Sequence, residues 1–277
     1  MFVIGLDIGT TSTKAVVFDT RGKVRGEHGV EYPISTPHPG WAEQSPRAIL
    51  DAAVQSIKEA VRKSGQTDFI GLGISTAMHS LILMDKDHQT LTETIIWTDT
   101  RSTEQTNWLL KGPGQGIYLR TGTPIHPMSP LSKILWFKQN RPDLFTRTAK
   151  FISIKEYLLF QWFGQYITDY SIASATGLFN LDQLDWDPEV LELLQIERQQ
   201  LPDPVPTTYT LKGIRPEWAQ KMSIDEKLPF IIGGSDGCLA NLGIGALEKG
   251  DAAFTIGTSG AIRTVVSHPL TDPQMRT

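Results

Sequence analysis

A carboxylate followed at once by glycine and hydroxyls defines the run Asp7-Ile8-Gly9-Thr10-Thr11-Ser12-Thr13. That combination suits a metal-bound polyphosphate. Gly9 lets the backbone come close to phosphate oxygens, the amides and the hydroxyls of Thr10, Thr11 and Thr13 donate to them, and Asp7 can hold a hydrated Mg²⁺ through water. A second run, Ala252 to Val266, repeats the plan around Gly257-Thr258-Ser259-Gly260. Two such turns facing each other would form a clamp. Between them in sequence, Asp236 stands in Gly233-Gly234-Ser235-Asp236-Gly237. It is either a helix cap or a general base held anionic by the helix field, and the flanking glycines, which leave room for a ligand, favour the base.

No G-x-x-x-x-G-K-[ST] occurs, which excludes a Walker loop, and a strand rather than a helix follows Gly9, which excludes a dinucleotide-binding turn. An ordinary solvent-facing hairpin would explain the first run alone. The repeat of its design at 252–266 argues against that. A formal net charge of −4 and a pI near 5.9 provide no basic footprint for nucleic acid. The single cysteine, Cys238, rules out an intramolecular disulfide and is expected as a small core residue, in keeping with a reducing compartment. The chain enters a strand at Met1-Phe2-Val3-Ile4 with no charged leader, and no apolar run approaches a membrane span, so the expected location is the cytoplasm.

The elements that must position these residues follow from periodicity. Phe2–Leu6, Ala15–Phe18 and Lys23–Tyr32 read as three strands of a meander. Ser45-Pro46 opens a helix whose apolar residues from Ile49 to Val61 keep helical spacing until Gly65. Strands follow at 69–75 and 80–84, and 102–163 turns helical, as an insertion over the substrate side. The proline-bearing tract 201–206 is expected as a linker or surface loop, 229–233 as a strand and 238–247 as a buried helix. The expected fold class is α/β, a mixed βββαβαβα sheet with a helical insertion.

Taken together, Asp7-Ile8-Gly9-Thr10-Thr11, Gly40-Trp41-Ala42-Glu43-Gln44, Met78-His79, Trp97-Thr98-Asp99-Thr100-Arg101, Gly234-Ser235-Asp236-Gly237 and Ile256-Gly257-Thr258-Ser259-Gly260 resemble the FGGY carbohydrate kinases in order and spread. The resemblance implies a ribonuclease-H-like fold of the actin and hexokinase type, ATP and Mg²⁺ as cofactors, and a small sugar or sugar acid as partner. A homodimer is left open. It divides the chain into an N-terminal domain at 1–246 and the truncated start of a C-terminal domain at 247–277. The runs Ser75 to Ser80, Arg120 to Leu131 and Ile152 to Tyr157 are most similar to gluconate kinases; xylulose kinases share Met-His but carry Gln and Gly where Ala77 and Ser80 stand. The resemblance makes Asp236 the base, Asp7 the holder of the Mg²⁺ shell, and Gly257 to Gly260 the second phosphate clamp. Met78, His79, Asp99 and Arg101 become sugar-binding candidates, His79 to a hydroxyl and Asp99 to vicinal hydroxyls. A gluconate carboxylate needs a cation or a nest of amides. Lys133, Lys155, Arg120 and Arg101 are the candidates, and Lys133 is equally readable as a solvated charge. A noncatalytic ATP-binding module of the actin and chaperone type would keep the hairpins without Met78-His79, Asp99 and Asp236 together.

Overall fold

The computed structural model describes residues 1–256, 260–272, 274 and 275. Strands β1 (Phe2–Ile8), β2 (Ser12–Asp19) and β3 (Val24–Glu31) form the meander, helix α1 (Pro46–Ser64) crosses it, and β4 (Phe69–Thr76) returns alongside β1. After a long excursion, β5 (Thr210–Leu211) and β6 (Phe230–Ser235) complete a six-stranded sheet of order β5-β6-β4-β1-β2-β3. β1, β4 and β6 run parallel, while β2, β3 and β5 pair antiparallel with their neighbours.

Alternation explains why the sheet has one dry side. Ile4, Leu6 and Ile8 of β1 and Ala15 and Val17 of β2 are buried against α1, where Ile49, Leu50, Ala53, Ile57 and Ala60 recur at helical spacing. Each large aliphatic side chain so placed stabilises the fold by roughly 1.5–3 kcal/mol. Asp7, between two buried neighbours in β1, is left on the opposite face. The ends of α1 follow the sequence: Ser45 accepts the Ala48 amide at 3.3 Å, and Gly65 closes the helix with a left-handed φ of 63°.

The excursion between β4 and β5 carries a second core, built from Leu83, Leu109, Tyr118, Leu131, Phe137, Phe151 and Leu194 among others. It contains α2 (Thr103–Lys111), α3 (Gly114–Thr121), α4 (Pro130–Asn140), α5 (Pro142–Arg147), α6 (Ile154–Phe163), α7 (Tyr170–Ser174) and α8 (Pro188–Leu194). Helices α3 and α5, and α9 (Pro216–Met222) before β6, were not visible in the periodicity, because they are short and α3 contains Gly114 and Gly116. The tract 201–206 is no linker: Asp203–Val205 pairs in parallel with Ile167–Asp169, and the Trp186 indole donates to Pro202 O at 2.8 Å.

Beyond β6, helix α10 (Asp236–Gly243) leads into the hairpin β7 (Ala252–Ile256) and β8 (Gly260–Thr264). Two expectations fail there. The helix ends at Gly243 with Leu242 exposed, and Cys238 is an exposed free thiol rather than a core residue, because only Gly237 and Asn241 of α10 are buried. Among the described residues no helix is long and apolar enough to cross a membrane.

Candidate functional site

Parallel pairing brings the two carboxylates together. Asp7 of β1 lies opposite Ser75 of β4, and Ser75 lies opposite Gly234 of β6, two residues before Asp236. The Ser75 hydroxyl donates to Asp7 Oδ1 at 2.7 Å. Gly233 makes the approach feasible: its φ is +66°, and a Cβ there would stand 1.9 Å from Ile74 O, where β6 shifts register against β4. A cleft of about 530 Å³ opens beside the pair, lined by Asp7, Ser75, Gly233, Leu239 and Leu242 among others.

Asp236 is the first residue of α10, not its cap. Ser235 caps the helix by accepting the Cys238 amide at 3.4 Å, and Asp236 Oδ1 accepts the amide of Gly237 at 2.7 Å. Its side chain reaches the surface, yet the atoms crowding it desolvate the carboxyl and raise it above the ordinary value. The Gly237 amide pulls it back, the charge of Asp7 raises it again, and Arg263 of β8 lowers it. A carboxyl raised toward neutrality is better matched to taking a proton from an alcohol than an ordinary aspartate. Two carboxylates at the ends of strands flanking β4 also suit a divalent cation shared with phosphate oxygens and water, since Mg²⁺ needs only one or two protein carboxylates. Among the described residues no cluster of three or more ligating side chains exists, so a cation here would keep water and phosphate in most of its shell.

The loop carrying Asp236 is anchored from behind. Lys155 and Asp169 form a buried ion pair at 2.5 Å, Asp169 Oδ1 accepts the Ser171 hydroxyl, and Ser171 Oγ in turn accepts the Ser235 amide at 2.8 Å. Burial pulls the Lys155 ammonium down, against the opposing charge of Asp169.

The turn 9–11 has its carbonyls tied inward. The Tyr32 hydroxyl donates to Gly9 O at 2.6 Å, Gln44 Nε2 to Thr10 O at 2.7 Å, and the Tyr32 amide to Thr11 O at 3.2 Å. The Thr10 hydroxyl accepts from Trp97 Nε1 at 2.9 Å, and Thr11 is exposed at the tip. Thr13 is not part of this surface. It pairs with Ile8 and points into the core, where its hydroxyl meets Tyr32 OH at 3.2 Å. Met78 shares a small recess with Gly9, Thr10 and Trp97.

His79 adopts a left-handed φ of 67°, and its Nδ1 lies 2.7 Å from Ala175 O. A carbonyl only accepts, so Nδ1 carries the proton and Nε2 is an acceptor. Burial, with the charges of Lys133 and His126 beside it, pushes His79 down to about 4. It is therefore a neutral ring at pH 7.

Three expected sugar-binding side chains are turned inward instead. Both oxygens of Asp99 are occupied: Oδ2 by the Ala42 amide at 2.7 Å and Arg101 Nη2 at 2.8 Å, Oδ1 by the Arg101 amide and Nε. Arg101 also donates to Glu43 Oε1 at 2.6 Å and stacks 3.7 Å above the Trp41 ring. Two aromatic rings, Trp41 and Trp136, close over that guanidinium and shut the pair off. Lys133 is fully buried rather than solvated or ligand-facing. Its ammonium donates to the carbonyls of His79 at 2.7 Å, Ile96 at 2.9 Å and Ile95 at 3.4 Å. Burial lowers it to about 7, with Asp99 opposing. It clamps the Met78-His79 segment to the strand before Trp97. Arg120 is ion-paired to Asp187 at 2.7 Å and Glu189 at 3.2 Å. Gly260 opens β8, exposed, whereas Gly257, Thr258 and Ser259 lie outside the described residues.

Sequence reasoning passed over Ser75, Ser171 and His126. The first two act through strand pairing and a network that no local pattern announces. His126 lies within the Arg120 to Leu131 run.

Over residues 2–243 the chain matches the N-terminal domain of the FGGY family of carbohydrate kinases. It is 44% identical, over 99% of its length, to a gluconokinase of Bacillus subtilis (strain 168), of which it covers 54%. The crystal structure of gluconate kinase from Lactobacillus acidophilus superposes with a TM-score of 0.96 at 37% identity, across 99% of this chain and 56% of that one. A ligand-bound xylulose kinase from the same organism superposes with the same TM-score of 0.96, at 37% identity and equal coverage. The chain spans about half the length of the curated relatives it matches. Its mixed sheet with flanking helices is the ribonuclease-H-like fold of the actin and hexokinase type.

Proposed function

The chain belongs to the FGGY family of carbohydrate kinases, and from that premise we propose that it supplies the acceptor site and base of an ATP-dependent gluconate kinase. The phosphoryl group goes to the terminal hydroxyl, giving 6-phosphogluconate. The observation that carries this reading is the convergence of Asp7 and Asp236 on the ends of two strands flanking β4, beside an open cleft. An actin-like module that only binds ATP has no need of a desolvated carboxylate there.

Phosphoryl transfer asks mainly for alignment and for neutralisation of phosphate charge. In this reading Asp236 accepts the hydroxyl proton as the new bond forms. Asp7, steadied by Ser75, holds water of the Mg²⁺ shell, and the turn 9–11 offers amides and hydroxyls to phosphate oxygens. Bound Mg²⁺ would spread the charge developing on the transferred group. The Lys155–Asp169–Ser171 network fixes Ser235, and through it the position of the base. Residues 1–246 form the acceptor-side domain and 247–277 begin the second, in a cytoplasmic enzyme.

Gluconate is preferred over D-xylulose on the 44% identity to a gluconokinase and on Ala77 and Ser80 flanking Met78-His79. The equal superposition on a xylulose kinase keeps the ketose as the second reading. A coupled assay of the complete enzyme that carries this chain decides between them: kcat/KM for gluconate should exceed that for D-xylulose, and the reverse order would overturn the assignment.

A further inference from the structure

The four cations that the sequence offers to a sugar-acid carboxylate are all engaged within the protein: Arg101 by Asp99 and Glu43, Lys133 by three carbonyls, Lys155 by Asp169, Arg120 by Asp187 and Glu189. A carboxylate entering this site still requires donors, because leaving it without hydrogen bonds is costly. One group nearby fits. His126 is exposed, and its segment packs along the one that holds His79: the Thr123 hydroxyl donates to Ser174 O and the Leu131 amide to Thr176 O, on either side of the Ala175 carbonyl that meets His79 Nδ1.

The backbone fixes the two rings in opposite tautomers. His79 Nδ1 faces a carbonyl, so its Nε2 is left as an acceptor. His126 Nδ1 lies 3.1 Å from the amide nitrogen of Met128, which only donates. The His126 Nδ1 is therefore bare, and its Nε2 carries the proton. Each assignment rests on a backbone group whose role is not interchangeable. The result is a donor Nε2 on one segment and an acceptor Nε2 on the segment packed along it, a complement to a carboxylate and a hydroxyl.

We propose that His126 is the residue that reads the carboxylate, with its Nε2–H donating to a carboxylate oxygen while His79 Nε2 accepts the hydroxyl on the adjacent carbon. The proposal rests on the gluconate reading above and deepens it, since it explains how an acid is selected while Arg101, Lys133, Lys155 and Arg120 are all engaged within the protein. Selection by a fixed donor also accounts for the Pro-Ile-His-Pro-Met run at 124–128, in which the prolines on either side of Ile125-His126 stiffen the backbone that presents the ring.

The test compares gluconate with its neutral isostere gluconamide in the complete enzyme that carries this chain, by kcat/KM. The wild type should prefer gluconate. His126→Ala and the size-preserving His126→Phe should each lower kcat/KM for gluconate by about 30-fold, within the range for a hydrogen bond to a charged group, and that for gluconamide by less than about threefold. His126→Asn, which keeps an N–H donor, should retain part of the preference. Thermal melting of each variant identifies any that has not folded, and the ratio from either of the first two is decisive. A preference that survives both, or an equal loss on the two substrates, overturns the role of His126 and leaves the gluconate reading standing. A wild type that does not favour gluconate over gluconamide or D-xylulose overturns the reading and the proposal with it.

Discussion

In hairpin β1–β2 the side chains of Ile4, Leu6 and Ile8 are each 1% exposed, whereas in hairpin β7–β8 Phe254, Ile256 and Ile262 are 62%, 74% and 72% exposed. Both share a sequence plan of apolar stretches on either side of glycine and hydroxyl residues. Both form regular antiparallel ladders. The difference lies in what covers them. β1 and β2 have β3 and β4 at their edges and α1 on their dry face, while among the described residues β7 and β8 pair only with each other. Local sequence is thus enough to shape a hairpin, but burial has to come from partners far away in the chain, and a two-stranded ribbon has little stability of its own. The second hairpin is held to the rest of the protein through α10: Asn241 Nδ2 donates to Arg263 O at 3.3 Å, and the Arg263 guanidinium packs where any Gly237 side chain would be.

The sharpest way to break this comparison is to delete equivalent apolar groups from the two hairpins. Leu6→Ala leaves a cavity between β1 and α1 and should lower the unfolding free energy by about 3 kcal/mol. Ile262→Ala should change it by less than about 0.5 kcal/mol, because that side chain is already in solvent. Urea titrations of both variants check this. Equal losses would mean that β7–β8 is packed as firmly as β1–β2.

A gentler probe uses pH on the well-packed region alone. His79 ordinarily titrates near 6.5 and is held down to about 4 in the fold. Below 6.5 the unfolded chain therefore takes up a proton that the folded chain refuses. Stability should fall as pH drops from 6.5 toward 4 and level off beneath it, by up to about 2–3 kcal/mol from this group. His79→Gln should remove that part of the slope in urea midpoints measured across the range. An identical slope in the variant would show that the ring is not kept neutral by its surroundings.

Much of the site's skeleton was legible because it is local. The Gly-and-hydroxyl turn, the start of α1 at Ser45-Pro46 and its stop at Gly65, and a carboxylate opening the helix after β6 all depend on residues within a few positions of each other. Thr13 was misplaced in the phosphate clamp, although its alternation with Ala15 and Val17 puts all three on the dry face. What could not be read is long-range. Asp99 and Arg101 resemble ligand-facing residues until Glu43, Trp41 and Trp136, from 35 to 60 positions away, close around them. Lys133 resembles any helix lysine until its carbonyl acceptors arrive from two other segments. Cys238 was misplaced because an apolar stretch predicts burial only when a partner surface exists.

The carboxyl of Asp236 feels both hairpins, through Asp7 of the first and Arg263 of the second. Replacing it with asparagine preserves its size and leaves the helix cap intact, since Ser235 supplies that. In the complete enzyme, Asp236→Asn should lower kcat at least about a hundredfold while the dissociation constant for gluconate moves by less than about threefold. A kcat that is unchanged, with ATP and Mg²⁺ saturating, would show that the proton leaves by another route and that the meeting of Asp7 and Asp236 is not the centre of the chemistry.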